Sequence, residues 1–411
     1  MAGTTAGTID GGAPARRRGT LATACGTHML HDGFSDVIYL FLPLWQAEFA
    51  LSLTQVGIVK TCYSGLMALG QVPAGLLAER IGERALLAIG TGVTALGFLA
   101  LGLSGGFLSL LLLLSLAGLG SAVQHPLSSS IVAKAFDGHR LRAALGVYNF
   151  SGDIGKAVVP VLAALVIGSF GWRWATGGYG AVGLAAALAI LLLLAMLGAG
   201  AAPHPGVGRA DAAAPDARRG WGVRHKRGFA TLASIAVIDG ASRTAFLTFL
   251  PFLLIGKGAD VATVGISLAL TFVGGATGKF LCGVLAERFG IIRTTVLTEA
   301  MTAAGVLAVL ALPLLPSMLL LPLLGAALNG TSSVLYGTVA EFVLPERRGR
   351  GFGLFYTVGI GGSAIAPSAF GLISDSFGLT AMLFCLTAFI ALTLPLALAL
   401  RRPLAEAAAV I

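Results

Sequence analysis

Twelve apolar windows, each of about 20 residues or more and so able to cross roughly 30 Å of hydrocarbon at about 1.5 Å per residue, follow one another along this 411-residue chain. They fall at about 19–46, 52–78, 84–104, 107–134, 140–167 and 174–198, then at about 228–256, 261–286, 292–312, 315–343, 349–373 and 379–400. With 56% hydrophobic and 11% charged residues, the chain has too little polar material to clothe a soluble surface of its size. The bilayer must act as its solvent. The windows predict an all-α polytopic membrane protein of 12 transmembrane helices.

The two sets of six are copies. Gly75-Leu-Leu-Ala-Glu79-Arg80-Ile-Gly82 returns 208 positions later as Gly283-Val-Leu-Ala-Glu287-Arg288-Phe-Gly290, with Arg84 and Arg293 close behind. The repeat extends well outside this loop at an offset of 207 or 208: Asp32-Gly33 returns as Asp239-Gly240, Leu42-Pro43 as Leu250-Pro251, and Val56-Gly57 as Val264-Gly265. Gly146, Gly152, Gly155 and Pro160 return as Gly353, Gly359, Gly362 and Pro367. Two similar hydrophobic halves are the mark of a secondary transporter, because such bundles can rock about a site at their interface. The expected division is a tail at 1–18, an N-terminal bundle at 19–198, a linker at 199–227, a C-terminal bundle at 228–400 and a tail at 401–411. The linker, rich in Ala, Gly, Pro and Arg, reads as a flexible tether.

Basic residues set the orientation. Of the 27 Lys and Arg residues, 21 fall in the tails and the loops on one side, whereas the loops of the other side hold only Arg173 and Lys257. By the positive-inside rule both termini and the central loop are expected to be cytoplasmic, as in a bacterial inner membrane protein. The net charge of +9 is thus accounted for by topology and anionic head groups. Basic stretches interleaved with aromatics are absent, so no nucleic-acid role is expected. A cleaved signal peptide is not expected, because His28, His31 and Asp32 break the first apolar segment. Cys25, Cys62, Cys282 and Cys385 show no metal-ligand spacing and are expected to pack as small apolar groups. No cofactor or metal is expected, and the chain is expected to act as a monomer.

Twelve spans in two repeated halves, with Gly-x-x-x-Glu-Arg-x-Gly after the second span of each, resemble the major facilitator superfamily over about residues 20–400. The resemblance implies that superfamily's fold of two pseudo-symmetric six-helix bundles. Its loop signature usually carries Asp where Glu79 and Glu287 stand, and Glu83 occupies a place where Arg is common. The loop chemistry suits a conformational latch at Gly75, Glu79, Arg80, Gly82 and Arg84 and again at Gly283, Glu287, Arg288, Gly290 and Arg293. Glycines there allow close approach, and a carboxylate at a helix end can pair with arginines across the seam. Within the superfamily, His31-Asp32 and Gly118-Leu-Gly120-Ser-Ala-Val-Gln-His125-Pro126-Leu-Ser128-Ser129 are most similar to the fosmidomycin-resistance type of bacterial efflux proteins, which tend to have Glu where Leu127 stands. Val159 precedes Pro160 where antiporters usually place Gly, and Leu111–Ala117 lacks the arginine of many proton antiporters.

A charge near the bilayer midplane costs at least about 2.5 kcal/mol and needs a partner, water or a task. In the first span His28, Asp32 and Asp36 recur every fourth residue, with His31 beside them, so one face is polar. Asn149, Asp153 and Lys156 share a face of the fifth span, Asp239 and Arg243 of the seventh, and Lys60, Ser64, Met67 and Gln71 of the second. If the superfamily's packing applies, these helices surround the central cavity. Asp153 with Lys156 and Asp239 with Arg243 read either as structural pairs or as functional ones. Asp32 and Asp36 have no basic residue in their own span and must look across to Arg243, Lys156 or Lys60; they read as proton-coupling groups with His31 and Asp153, as substrate contacts, or as scaffold. Arg243, Lys156, His125, Lys60, Asp239, Asn149 and His28 are the candidate substrate contacts. Lys279 and Glu299 read as locally paired or snorkelling.

No catalytic motif such as HExxH or GxSxG is present, which argues against an enzyme. No filter-like loop speaks for a channel, and no appended soluble domain for a sensor. The expected partners are protons, the lipid bilayer and a small-molecule substrate. The expected function is proton-coupled efflux of a small organic molecule or drug, with a phosphonate-like anion among the candidate cargoes and uptake of a small organic anion as the alternative.

Overall fold

The computed structural model describes residues 13–202, 220–344 and 347–408. Most of the expected linker and part of both tails lie outside the described residues. The first half comprises α1 (Ala13–Phe49), α2 (Leu53–Ile81), α3 (Glu83–Leu101), α4 (Phe107–Ser121) continued by α5 (Gln124–Ala135), α6 (Gly138–Phe170) and α7 (Trp172–Met196). The second comprises α8 (Lys226–Gly256), α9 (Val261–Phe289), α10 (Ile291–Ala311), α11 (Leu314–Thr338), α12 (Arg348–Ala391), α13 (Thr393–Ala399) and the short α14 (Arg401–Ala408).

Nine helical segments among the described residues are long and apolar enough to cross a membrane by length and composition. The last of these, Arg350–Ala407, is two crossings. Its chain reverses at Gly378, whose φ of 85° is left-handed and therefore favours glycine. Gly171, the counterpart of Gly378 in the first half, makes the same turn between α6 and α7 with φ of 83°. Gly82 and Gly290 form a second matched pair, at 87° and 86°, between α2 and α3 and between α9 and α10. α1 and α2 have the length of a span but are more polar, because they carry the histidines, carboxylates and lysine described below. Counting them gives twelve crossings, six per half. Pro126, which has no N–H to donate, follows a break at Ala122–Val123 that divides the fourth span into α4 and α5.

The duplication extends to packing. A Cβ on Gly118 of α4 would strike the backbone of Tyr63 in α2, and one on Gly325 of α11 would strike the backbone of Thr271 in α9, the corresponding pair. Gly155 of α6 lies against Met29 of α1, and Gly362 of α12 lies against Val237 of α8 in the same relation. Where no side chain intervenes, helices meet backbone to backbone, the usual basis of association in lipid. The outward faces carry large apolar side chains, with Leu69 74% and Phe280 73% exposed, as a hydrocarbon solvent permits.

The halves meet mainly toward the face opposite the one where α1 begins and α14 ends. We call these the far face and the terminal face. At the far face one buried apolar cluster runs from Phe34–Trp45 of α1 through Phe246–Leu254 of α8 and includes residues of both bundles. Two swapped contacts close it. Gly57 of α2 lies so close to Pro367 of α12 that an added Cβ would overlap the Pro367 carbonyl. Gly265 of α9 faces Pro160 and Ala164 of α6, at 3.0 and 2.8 Å from where a Cβ would stand. At the α2 N-terminus, Ser52 caps Gln55, while Asp375 of the second half accepts from the Leu53 and Thr54 N–H groups at 2.8 Å each and from the Thr54 hydroxyl. The first N–H groups of α2 are therefore satisfied partly from across the seam.

Candidate transport site

Midway along the helices, charged side chains from three elements of the first half converge. His28, Asp32 and Asp36 are buried one turn apart on α1, which packs on α5 and α6. Lys156 of α6 reaches them: its Nζ is 3.3 Å from Asp32 Oδ2, 3.8 Å from Asp36 Oδ2 and 3.9 Å from Asp153 Oδ1. Of the three cations that the sequence offers to Asp32 and Asp36, Lys156 is the one in contact. His125, just beyond the break in the fourth span, brings Nε2 to 3.8 Å from Asp32 Oδ1. His28 stacks on Tyr148 with ring centroids 4.2 Å apart, and its Nε2 is 3.3 Å from Asp32 Oδ2. Gly152 makes this crowding possible, since a Cβ there would overlap Asp32 Oδ2 and lie 2.7 Å from His28 Nε2.

His28, Asp32 and His125 offer three ligand atoms within 4.8 Å of one another. The Lys156 ammonium already stands on the same Asp32 oxygen, and it would repel a divalent cation seated there.

Across the seam, Asp153 Oδ1 accepts from Lys279 Nζ of α9 at 2.6 Å. Sequence reasoning read Lys279 as locally paired or snorkelling; instead it joins the two halves. The repeat carried the signal, because Lys279 lies 208 positions after Gln71, itself on the polar face of the second span. The other candidates are distributed more widely. His31 turns toward α3. Its Nε2 is 2.9 Å from Thr91 Oγ1, whose hydroxyl hydrogen goes to the Leu87 carbonyl, so His31 donates from Nε2. Its Nδ1 is buried without a partner among the described residues. Lys60 donates to the Ser35 carbonyl at 2.9 Å and lies 4.2 Å above the centre of the Tyr39 ring. Asn149 is exposed one turn from Asp153.

In the second half Arg243 Nη2 and Asp239 Oδ2 are 3.8 Å apart on α8. Asp239 also interacts with Glu299 of α10, which accepts from the Thr393 hydroxyl at 3.2 Å. Asp239 and Arg243 line a cavity of about 170 Å³ together with Ser64 and Met67 of α2, Tyr336 of α11 and Ser363 of α12. Tyr336, which sequence reasoning did not single out, stacks on Tyr356 at 4.4 Å. The cavity extends from mid-height toward the terminal face, where the halves diverge. In the repeated loops Glu79, Arg80, Glu287, Arg288 and Arg293 are exposed, and a Cβ on Gly75 or Gly283 would meet nothing within 4 Å. No hydrogen bond or ion pair links the two loops among the described residues. The ion pair in this region is instead Glu83 with Lys134, at 2.7 Å within one half, supported by Ser130. Arg84 donates its backbone N–H to the Gly200 carbonyl at 2.8 Å, and Gly82 and Gly290 supply the left-handed turns already noted.

Two pseudo-equivalent six-helix bundles, closed on one face and enclosing a charged cavity at mid-height, define a polytopic membrane transporter. The sequence profile of the Major Facilitator Superfamily matches residues 24–238 and 232–410, and the chain belongs to that family. The fosmidomycin resistance protein of Escherichia coli (strain K12) is 33% identical over 153 residues, 37% of this chain and 37% of that protein. The uncharacterized MFS-type transporter YfnC of Bacillus subtilis (strain 168) is 27% identical over 369 residues, 86% of each chain. Among solved structures, a bacterial homologue of the human lysosomal transporter Spinster, in an inward-facing and unoccupied conformation, superposes with a TM-score of 0.73 at 19% identity, over 96% of both chains. The nucleoside transporter NupG gives a TM-score of 0.74 at 14% identity, over 94% of this chain and 100% of that one. Membership of this family makes the chain a transporter rather than an enzyme.

Proposed function

We propose that this transporter exports a small organic molecule in exchange for protons, from a bacterial inner membrane with both termini in the cytoplasm. The observation that carries the reading is the separation of two loads. The carboxylate and histidine cluster around Asp32 lies in the first half, outside the lining of the Arg243 cavity, so proton and cargo have different seats. When the seats are separate, exchange requires only that each load favour the opposite orientation of the halves. The resistance and export names of several relatives support the outward direction, among them the tetracenomycin C resistance and export protein of Streptomyces glaucescens. With cytoplasmic termini, the conformation described is open to the cytoplasm. Arg243 suits a planar oxyanion such as a phosphonate or carboxylate, and the apolar Met67, Leu335 and Phe355 around it accommodate an amphipathic body.

Uptake of an organic anion with protons is favoured by a different contact. An anion that drew Lys156 away from Asp32 would leave a buried carboxylate in need of a proton, so the two loads would then travel together. Energised everted vesicles separate the readings. Export by exchange predicts that phosphonates, carboxylates or amphipathic drugs accumulate in the acidic lumen while protons leave it. Co-transport predicts that lumenal anion leaves together with protons. Accumulation without proton movement would overturn both.

A further inference from the structure

We infer that the transported proton is held between His28 and Asp32, and that the Tyr148 backbone carbonyl fixes it there. The inference rests on the proton-coupled reading above and assigns it to particular atoms. A carbonyl oxygen only accepts. His28 Nδ1, 2.8 Å from the Tyr148 oxygen, must therefore carry a hydrogen. In a neutral ring the other nitrogen then presents a lone pair, and Nε2 presents it to a carboxylate oxygen 3.3 Å away. Two acceptors in contact within a buried site repel one another, because the low local dielectric screens them weakly. A proton on Nε2 turns the same contact into an imidazolium–carboxylate pair. The protein supplies one nitrogen with a permanent partner and leaves the other to gain or lose its proton against Asp32.

The surroundings bear on how that proton is held. On α1, Asp36 lies one turn from Asp32, and His31 is engaged with Thr91 of α3. α5 contributes His125, whose Nε2 is 3.8 Å from the other Asp32 oxygen. α6 contributes Lys156, at 3.3 Å from Asp32 Oδ2, and Asp153, which Lys279 of α9 holds from the second half. α2 contributes Lys60 beside Asp36, and Tyr63, whose hydroxyl is taken up with Ser35 and Ser121. α7 contributes Tyr179, which donates to the Leu30 carbonyl. Lys156 can stabilise the Asp32 charge, but it cannot relieve the contact between the bare Nε2 and Oδ2. When the proton leaves Nε2, the Asp32 carboxylate is better placed away from His28, toward Lys156 and His125. Loss of the proton therefore draws Asp32 of α1 onto Lys156 of α6, the helix that carries Asp153 to its partner on the second half.

The test is nitrogen-15 NMR of histidine-labelled full-length protein in lipid nanodiscs, with the His28 signal identified by its absence in His28→Gln. The expected result at neutral pH is a His28 ring protonated on both nitrogens in the wild type. In Asp32→Asn the Nε2 proton should be lost while the Nδ1 proton remains. Gly152→Ala, whose methyl wedges between the same two groups, should produce the same loss and guards against a fold defect peculiar to Asp32→Asn. A His28 ring carrying its only proton on Nε2, or a ring unchanged in both variants, would overturn the inference. Because this measurement needs no cargo, its failure is distinct from failure of the vesicle experiment. A doubly protonated His28 in a protein that moves no protons would remove the coupling role while leaving export itself standing.

Discussion

The Asp153 carboxylate on α6 and the Lys279 ammonium on α9 are 2.6 Å apart, and they join the two halves at mid-height. Helices α6 and α9 also meet nearer the far face, where Pro160 and Ala164 lie against Gly265. The ion pair thus lies at the inner end of the closed seam, where any rocking of the halves must stretch it.

Breaking this pair should favour the far-open state, and unequally from its two sides. Lys279→Gln leaves Asp153 with Lys156 at 3.9 Å, whereas Asp153→Asn leaves two ammonium groups without their shared carboxylate. A charged hydrogen bond contributes about 1.5–3 kcal/mol, so a shift of about tenfold or more is expected in Asp153→Asn and a smaller one in Lys279→Gln. The measurement is labelling by an impermeant maleimide, applied from the far side, of Ser368→Cys in a background without the four native cysteines. Equal labelling in both variants and the parent would show that the pair does not report closure.

The swapped glycine contacts give a second asymmetry. Gly57→Ala places a methyl on the Pro367 backbone carbonyl, which cannot move without shifting α12, while Gly265→Ala meets the Ala164 methyl at 2.8 Å and the Pro160 oxygen at 3.0 Å. Both should hinder far-face closure, and Gly57→Ala more. The same maleimide assay reads this as faster labelling in Gly57→Ala than in Gly265→Ala, with both above the parent. The reverse order would mean that α12 yields more easily than α6.

Asp375 sets the pH dependence of the seal at the α2 N-terminus. Partial burial tends to raise its carboxyl, but the Thr54 hydroxyl and the backbone donors outweigh burial and hold it below the usual range. The closed state therefore binds fewer protons at Asp375 than a state in which the contact is broken. Its contribution is fully present above the ordinary aspartate value of about 3.9 and is lost as pH falls through the depressed one. Closure should thus be insensitive to this group between about pH 5 and 8. Asp375→Asn should raise far-side labelling at neutral pH to the level that the parent reaches only in strong acid. A parent whose labelling rises steeply near neutrality would assign that titration to other groups.

The architecture could be read from the sequence because it rests on apolar length and on repetition. The windows near 349–373 and 379–400 anticipated the two arms that meet at Gly378, although one continuous helical segment contains both. The polar face of α1 was equally legible, since a period of four in His28, Asp32 and Asp36 can mean little else inside a bilayer. Partners across the seam were harder to foresee. The pairing of Lys279 with Asp153 depends on how two bundles are docked, and neither helix encodes that alone. Latch residues such as Glu79 and Glu287 illustrate the same limit: their partners depend on which face is closed, and here both side chains are exposed. The Nδ1 contact of His28 also went unseen, because its acceptor is a backbone carbonyl and leaves no mark in side-chain spacing.

The far-face clasp has a bearing on ancestry. Gly57 of the first half meets Pro367 of the second, and Gly265 of the second meets Pro160 of the first, so the same glycine-to-proline contact is made once in each direction. A surface that meets its own copy in this reciprocal way is what two identical subunits present to each other across a two-fold axis. A half-length chain of six helices could therefore have closed its outer face against a second molecule of itself before any gene fusion, and the linker would then have added permanence to an existing contact.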